Sequence, residues 1–177
     1  FKVAGAKAEN GGTLKEVADT ARKALANIRT MGMALTSCIV PEVGKPTFSI
    51  AEDEMEIGMG IHGEPGIEVR KMMTADEIAD ILLKKIEEDM PLKAGDEVSV
   101  MVNGLGGTPL EEQLIVYRRV AQVLREQKIC VFMPHIGEYA TSMEMAGLSL
   151  TIFKLDEELK ALLGQVARSP FYTNYNK

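Results

Sequence analysis

The sequence is poor in cysteine and histidine, with two of each. Cys38 and Cys130 lie in apolar stretches without a CxxC motif, which excludes a disulfide framework and indicates reduced, buried thiols. His62 and His135 are far apart, and no compact group of His, Cys, Asp and Glu surrounds either one. We therefore expect no metal site in this chain.

Long apolar runs and excess positive charge are also missing. No stretch approaches the ~20 apolar residues of a membrane-spanning helix, and no signal peptide begins the chain, so we expect a cytoplasmic protein that does not bind membranes. The net charge of −6 argues against a nucleic-acid-binding surface. Four basic residues along one predicted helix lie among acids and predict a solvated face: Arg118, Arg119, Arg125 and Lys128.

The residues that are present describe a globular domain. The chain has 177 residues, of which 46% are apolar and 26% charged, and these values are typical of a folded domain. We interpret residues 1–177 as one domain. The chain begins with Phe1 rather than methionine, and we expect it to be a fragment of a longer protein.

Apolar residues recur at helical spacing in four segments, which predict helices at 14–31, 75–89, 109–127 and from Asp156 to before Gly164. In the first segment the apolar face comprises Leu14, Val17, Ala18, Ala21, Leu25 and Ile28. Each helix has a predicted N-terminal cap: Thr13 with Glu16, Thr74 with Glu77, Thr108 with Glu111, and Asp156.

Five apolar, β-branched runs predict buried strands at 33–40, 55–61, 97–102, 129–133 and 148–155. Strands and helices alternate along the chain. This order predicts an α/β fold with a mixed sheet of about five or six strands covered by helices.

The most unusual stretch is 56–67, in which a strand-like run ends in alternating glycines. Glycine allows close backbone approach and positive φ, and Pro65-Gly66 is typical of a tight turn. We therefore expect His62 to lie at an exposed strand end, where ligands of α/β folds often bind.

A neutral imidazole is both a nucleophile and a general base, so His62 is the candidate catalytic residue. Glu64, two residues later, is placed to orient the ring or to favour its charged form. A structural, hydrogen-bonding histidine is the alternative that spacing alone leaves open.

Four blocks of the sequence resemble the dihydroxyacetone kinase K subunit, in family order. They are Cys38-Ile39-Val40-Pro41 with Gly44-Lys45-Pro46; the acidic run 52–58 with Gly58-Met59-Gly60-Ile61-His62-Gly63-Glu64-Pro65-Gly66-Ile67; Val102-Asn103-Gly104-Leu105-Gly106-Gly107-Thr108-Pro109-Leu110; and Ile136-Gly137-Glu138-Tyr139-Ala140-Thr141-Ser142-Met143-Glu144-Met145-Ala146-Gly147. The blocks cover nearly the whole chain, and the ten residues around His62 are the most specific.

The resemblance implies a role for His62. In that family the equivalent histidine attacks the ketone carbon of dihydroxyacetone through Nε2 and forms a hemiaminal. Carried over by position, the substrate-binding residues are His62, Gly63 and Glu64. Covalent capture distinguishes dihydroxyacetone from glycerol, because only a carbonyl carbon accepts a nitrogen nucleophile, and it holds a hydroxyl for phosphoryl transfer.

The resemblance also implies partners. This chain is similar to the C-terminal half of the K subunit, so we expect an N-terminal domain that is missing here. The nucleotide, ATP or ADP with Mg, belongs to a separate L subunit, and this chain should bind no cofactor and be inactive alone. The family further suggests a homodimer.

Two other functions stay open. Family members also act as sugar sensors that bind the ketone through the same histidine and pass the signal to a transcriptional partner. Alternatively, the 104–109 loop follows a strand and opens a helix, which is typical of a phosphate cradle. It lacks the Walker lysine, so a structural turn is favoured there. We expect His135 to be a surface or structural histidine without a catalytic role. We expect Lys45 to be solvated, and Asn103 is undecided between substrate and partner contact.

Overall fold

The computed structural model describes residues 1–39, 41–42, 44–46, 48–61 and 64–175. Its elements in chain order are α1 (Lys2–Glu9), α2 (Leu14–Ala26), β1 (Ile28–Ala34), β2 (Glu54–Ile57), β3 (Glu68–Lys71), α3 (Ala75–Asp89), β4 (Glu97–Gly104), α4 (Leu110–Glu126), β5 (Cys130–Gly137), β6 (Gly147–Leu155), α5 (Glu157–Gly164), β7 (Ala167–Arg168) and β8 (Thr173–Asn174). No helix in this described part of the chain is both long and apolar enough to cross a bilayer.

Six strands form one sheet in the order β3-β2-β1-β6-β4-β5. β4 and β5 are parallel, and the other neighbours in this sheet are antiparallel. β7 and β8 form a separate two-stranded ribbon. The expected α/β fold with a mixed sheet of five or six strands is therefore confirmed.

One face of the sheet is covered by α3 and α4. Alternate residues of β4 point to this face, and Val98, Val100 and Val102 are fully buried there. They share an apolar cluster with Leu82 of α3 and Val120 of α4. This alternation places every second residue of a strand against the helices, so the largest core of the molecule lies on this side.

The opposite face is covered in two parts. α1 and α5 pack over Met133, Phe153 and Leu155. Nearer the end of the sheet at which β1 and β4 finish, Ala34 of β1 and chain segments outside the helices and strands form a small apolar cluster. Its other members are Cys38, Met59, Leu105 and Met145. This second part is where the glycine-rich stretch lies.

Three of the predicted helix starts are confirmed. Capping boxes begin α2 at Thr13 and α3 at Thr74, and the Asp156 side chain accepts from the Leu159 amide at the start of α5. These caps join residues three apart, so they depend on local sequence alone. α3 runs over the predicted 75–89.

The capping box predicted at Thr108 is wrong. The N-cap of α4 is Pro109, without a side-chain cap. Thr108 Oγ1 instead donates to the Gly147 carbonyl and accepts from the Gly147 amide, which is 2.8 Å away. A buried hydroxyl that forms both bonds ties the turn before α4 to the start of β6, and this long-range pairing replaces the local cap.

The predicted first helix is too long. α2 ends at Ala26, and residues from Ile28 onward pair with β6 across seven positions. The apolar residues predicted to end the helix therefore belong to β1 instead. The strand predicted at 33–40 begins earlier, at Ile28, and ends at Ala34. Two residues of the predicted apolar face are exposed, Leu14 at 87% and Leu25 at 70%, and the other four are half-buried.

Four elements were not predicted, namely α1, β3, β7 and β8, and one cysteine differs from expectation. α1 carries only Val3 and Ala6 into the core, so its sequence shows little helical periodicity. β3 is an edge strand with no fully buried residue. Cys38 is buried as expected, but Cys130 is exposed, because it is the first residue of β5, at the other edge of the sheet.

Candidate functional site

The candidate site lies on the stretch between β2 and β3, which we call the site loop (residues 58–67). His62 and Gly63, the predicted nucleophile and its neighbour, lie outside the described residues. The residues on both sides of them are described, and the contacts of these neighbours show how the site loop is attached to the rest of the protein.

The site loop leaves β2 through a glycine turn. Gly58 has a φ of +84°, a conformation that favours glycine, and its amide donates to the Gly32 carbonyl of β1 at 2.7 Å. Met59 then turns into the small apolar cluster and is 4% exposed. The first part of the loop is thus fixed to the sheet face by one backbone bond and one buried side chain.

The site loop returns to β3 through a second glycine. The Ile67 amide donates to the Ile57 carbonyl at 2.7 Å, and the Gly66 amide donates to Glu56 Oε1 at 2.6 Å. A Cβ on Gly66 would lie 2.5 Å from the Ile57 carbonyl oxygen, so only glycine fits. These bonds close the loop at its base.

Two further bonds hold the part of the site loop that flanks residues 62 and 63. The Gly60 amide donates to the Glu64 carbonyl at 3.3 Å, and the Ser142 hydroxyl donates to the Ile61 carbonyl at 2.7 Å. A Cβ on Gly60 would lie 2.1 Å from Glu64 Oε2, so the Glu64 carboxylate is packed against the backbone of the loop. Of the predicted substrate-binding residues, Glu64 is the one that the structure describes, and it is exposed.

Ser142 belongs to a stretch that we call the bridging segment (residues 139–147). Its amide donates to the Leu105 carbonyl at 2.8 Å. Glu144 of the same segment accepts, through Oε1, a hydrogen bond from the amide of Ile39 at 2.6 Å. The bridging segment therefore contacts the chain after β1, the chain after β4 and the site loop.

Asn103 shapes the start of the bridging segment. Its Oδ1 accepts from the amides of Tyr139 and Ala140 at 2.7 and 2.9 Å, and its Nδ2 donates to the Ala140 carbonyl at 2.8 Å. Asn103 is 3% exposed. Its amide group is occupied by this turn, so it acts as an internal support.

The 104–109 loop packs against the same segment. Gly106 has a φ of +112°, and a Cβ there would lie 1.8 Å from the Met143 carbonyl oxygen. The Gly107 amide donates to the Met145 carbonyl at 2.9 Å. The glycines of this loop thus permit backbone-to-backbone packing, which supports the structural-turn interpretation.

A cleft of about 520 Å³ opens between this loop and the end of β5, next to the first turn of α4. Glu138 lines it, and no Lys or Arg is among the described residues around it. Burial raises the pKa of Glu138, opposed by the hydrogen bond that Gln113 Nε2 donates to its carboxyl at 3.0 Å. A cleft with an acid and no described cation disfavours a phosphate group.

His135, the second histidine, supports the C-terminal ribbon. Its Nε2 is 3.0 Å from the Tyr172 hydroxyl, and its ring also contacts Tyr139 edge-on. Burial lowers the pKa of His135. These contacts support the structural role expected for this histidine. Phe171 and Tyr175 of the same C-terminal stretch are exposed.

The remaining sequence predictions concern charged surface residues and possible metal ligands. Lys45 is exposed, as expected for a solvated lysine. Arg118 and Arg119 form ion pairs with Asp76 and Asp80 of α3. Within the described ranges, no three His, Cys, Asp or Glu side chains lie close enough to hold a metal ion.

The chain is similar to proteins of a known family. The Dak1 domain model matches residues 1–171. The chain belongs to the Dak1 domain family. It is 46% identical over 172 residues to the dihydroxyacetone-binding subunit DhaK of the PTS-dependent dihydroxyacetone kinase 2 of Listeria innocua. That match covers 97% of this chain and 52% of the relative, so the chain spans about half the length of the curated relative.

Two solved structures share the fold of this Dak1 domain. The dihydroxyacetone kinase operon co-activator Dha-DhaQ has a TM-score of 0.87 at 33% identity, over 93% of this chain and 51% of that one. The dihydroxyacetone kinase of C. freundii has a TM-score of 0.79 at 30% identity, over 93% of this chain and 30% of that one. The predicted resemblance is confirmed, and one fold serves both a kinase and a co-activator.

Sequence reasoning did not single out Ser142. It lies inside a block that was matched to the family, but serines are common and its partner Ile61 is 81 residues away. Asn103 was left undecided for the same reason, since its partners lie 36 and 37 residues further on. No local pattern identifies such contacts.

Proposed function

We propose that this Dak1 domain is the C-terminal, substrate-anchoring half of a dihydroxyacetone kinase K subunit and captures dihydroxyacetone through His62. The observation that carries the proposal is that hydrogen bonds hold the site loop on both sides of residues 62 and 63. Ile61 and Glu64, the described residues next to 62 and 63, are each hydrogen-bonded to another part of the protein or loop. The family membership supports the choice of substrate.

The chemistry is an addition. The Nε2 lone pair of His62 attacks the ketone carbon, the C–N bond forms and the carbonyl π bond breaks. The oxygen takes up a proton while the ring loses its Nδ1 proton, so a neutral hemiaminal results with no atom lost. We propose that Glu64 orients the ring and that Gly63 leaves room for the substrate beside it.

Covalent capture gives both selectivity and position. Glycerol has no carbonyl carbon for the imidazole to attack, so it is excluded by reactivity as well as by shape. The captured ketone is also held with its terminal hydroxyl fixed. Positioning of this kind supplies much of the acceleration in phosphoryl transfer.

The phosphoryl step belongs to other parts of the assembly. We propose that an N-terminal domain of the K subunit completes the substrate site, and that a nucleotide-bearing L subunit delivers the phosphoryl group with ATP or ADP and Mg. In this proposal the chain binds no cofactor itself, is inactive alone, and works in the cytoplasm as part of a homodimer.

A sensing role is the second candidate. It is favoured by the structural similarity to the co-activator Dha-DhaQ, at a TM-score of 0.87. A sensor keeps the ketone-binding site but passes occupancy to a transcriptional partner instead of to a nucleotide-bearing subunit.

The capture is tested in the full-length protein that contains this chain. With dihydroxyacetone labelled with ¹³C at the ketone carbon, we expect the wild type to convert the carbonyl resonance into a protein-bound tetrahedral carbon. His62→Ala should show none of this signal. His135→Ala is the matched control, because it removes the other histidine and should leave the capture intact.

Capture that persists in His62→Ala would contradict the proposal, as would a wild type that binds the ketone only as the free carbonyl. The two candidate functions separate in a second step. Turnover with a nucleotide-bearing subunit supports the kinase, whereas ketone-dependent binding to a DNA-binding protein supports the sensor.

A further inference from the structure

A side-chain hydrogen bond joins the site loop to the bridging segment. The Ser142 hydroxyl donates to the Ile61 carbonyl at 2.7 Å, and Ile61 directly precedes His62 in the sequence. Ser142 is 4% exposed. A buried hydroxyl that donates to a carbonyl of another segment fixes the distance between the two segments, because breaking the bond would leave the hydroxyl without a partner.

Ser142 is itself held firmly. Its amide donates to the Leu105 carbonyl at 2.8 Å, and its carbonyl accepts from the Met145 amide at 3.1 Å. Asn103 fixes the turn that precedes it through three hydrogen bonds. The hydroxyl is therefore presented by a segment with little freedom, which is what an anchor requires.

The glycines of the 104–109 loop make this approach possible. A Cβ on Gly106 would lie 1.8 Å from the Met143 carbonyl oxygen, and one on Gly107 would lie 2.6 Å from that of Glu144. Larger residues at either position would push the bridging segment away from β4. The packing of this loop thus sets where Ser142, and through it Ile61, is placed.

We infer that Ser142 is a positioning residue for His62: its hydroxyl anchors the site loop at Ile61, the residue that precedes His62 in the sequence. This inference rests on the proposed function for its consequence in capture, but the anchoring itself is independent of any ligand. The three sequence blocks that surround Asn103, Ser142 and His62 would then act as one unit.

The test compares two buried serines in the full-length protein. Ser142→Ala removes the anchor. Ser99→Ala is its match, since the Ser99 hydroxyl is also buried and donates to a backbone carbonyl, that of Met133, at 2.6 Å. Ser99 lies in β4 and bonds to β5, away from the site loop. Both variants lose one hydrogen bond of the same kind, so any general loss of stability is common to them.

Two measurements are made on each variant. Without ligand, hydrogen exchange of the Gly60 amide should rise roughly fivefold in Ser142→Ala, the factor for one net hydrogen bond, and the His62 ring resonances should shift or broaden. With ¹³C-labelled dihydroxyacetone, the apparent dissociation constant for capture should rise by a similar factor. Ser99→Ala should change neither the ring resonances nor the capture.

Unchanged Gly60 exchange and unchanged His62 resonances in Ser142→Ala would overturn the inference, whatever the capture shows. Altered loop dynamics in a protein that captures no ketone would support the anchor and refute only the proposed function. If Ser142→Ala does not fold, Ser142→Cys serves in its place, with Ser99→Cys as control, because the thiol nearly preserves volume but donates weakly.

Discussion

On the α3–α4 face of the sheet, residues such as Leu82 and Val120 are fully buried in one continuous apolar cluster. At the end of the sheet that carries the site loop, the apolar cluster is small, and the chain is held by directed bonds such as that from Ser142 to Ile61. Apolar packing depends on volume and accepts many side chains. Directed bonds and close backbone approach require particular residues at particular places.

The two regions therefore contribute differently to the protein, one to its stability and the other to the positions of its loops. The helix-covered face supplies stability, since burial of apolar surface is the main favourable contribution to folding. The end of the sheet that carries the site loop fixes the positions of chain segments. The residues whose substitution matters there are a glycine, a serine and an asparagine: Gly106, Ser142 and Asn103. Substitutions in the two regions should therefore have different consequences.

The largest effect is expected at Gly106. In Gly106→Ala the new Cβ would meet a backbone oxygen at 1.8 Å in a positive-φ conformation, and no side-chain rotation relieves that clash. We expect a loss of about 4 kcal/mol or more in the free energy of unfolding, or failure to fold. Chemical denaturation measures it.

Gly95→Ala is the matched control. Gly95 also has a positive φ, of +92°, but open space where a Cβ would lie. Its substitution should cost only the conformational penalty, about 1–2 kcal/mol. Equal losses in the two variants would show that the 104–109 loop is not constrained by the bridging segment.

A smaller effect on stability, without an effect on the site, is expected at Leu82. Leu82→Ala leaves a cavity between α3 and the sheet and should cost roughly 3 kcal/mol of unfolding free energy. Hydrogen exchange in the site loop should be unchanged under conditions well below unfolding. Leu114→Ala on the exposed side of α4 should stay within about 0.5 kcal/mol, and a site loop that loosens in Leu82→Ala would break the distinction between the two regions.

The smallest effect concerns pH at His135. Burial lowers the pKa of His135, so the unfolded chain binds this proton at a higher pH than the folded one. The stability contribution is therefore complete above the ordinary imidazole pKa of about 6.5 and is lost as pH falls below it. Between about pH 7 and pH 5.5, the free energy of unfolding should fall more in the wild type than in His135→Phe. Parallel pH profiles would contradict this.

Local sequence predicted the elements that local bonds define. The 75–89 helix has the predicted bounds, because Thr74 and Glu77 cap each other and the apolar residues follow one helical face. The same reasoning failed at residues 27–31. There, pairing of β1 with β6 takes priority over helical spacing, and a partner more than a hundred residues away leaves no trace in a local window.

The amino-acid sequence by itself determined the fold class, the helix caps of α2, α3 and α5, and the candidate nucleophile in its glycine-rich stretch, because periodicity, capping and chain chemistry act over a few residues. Only the tertiary structure decided that Thr108 bonds to Gly147 rather than capping a helix, and that Ser142 reaches Ile61. Each of these contacts joins segments that are distant in the chain, and sheet formation brings them together.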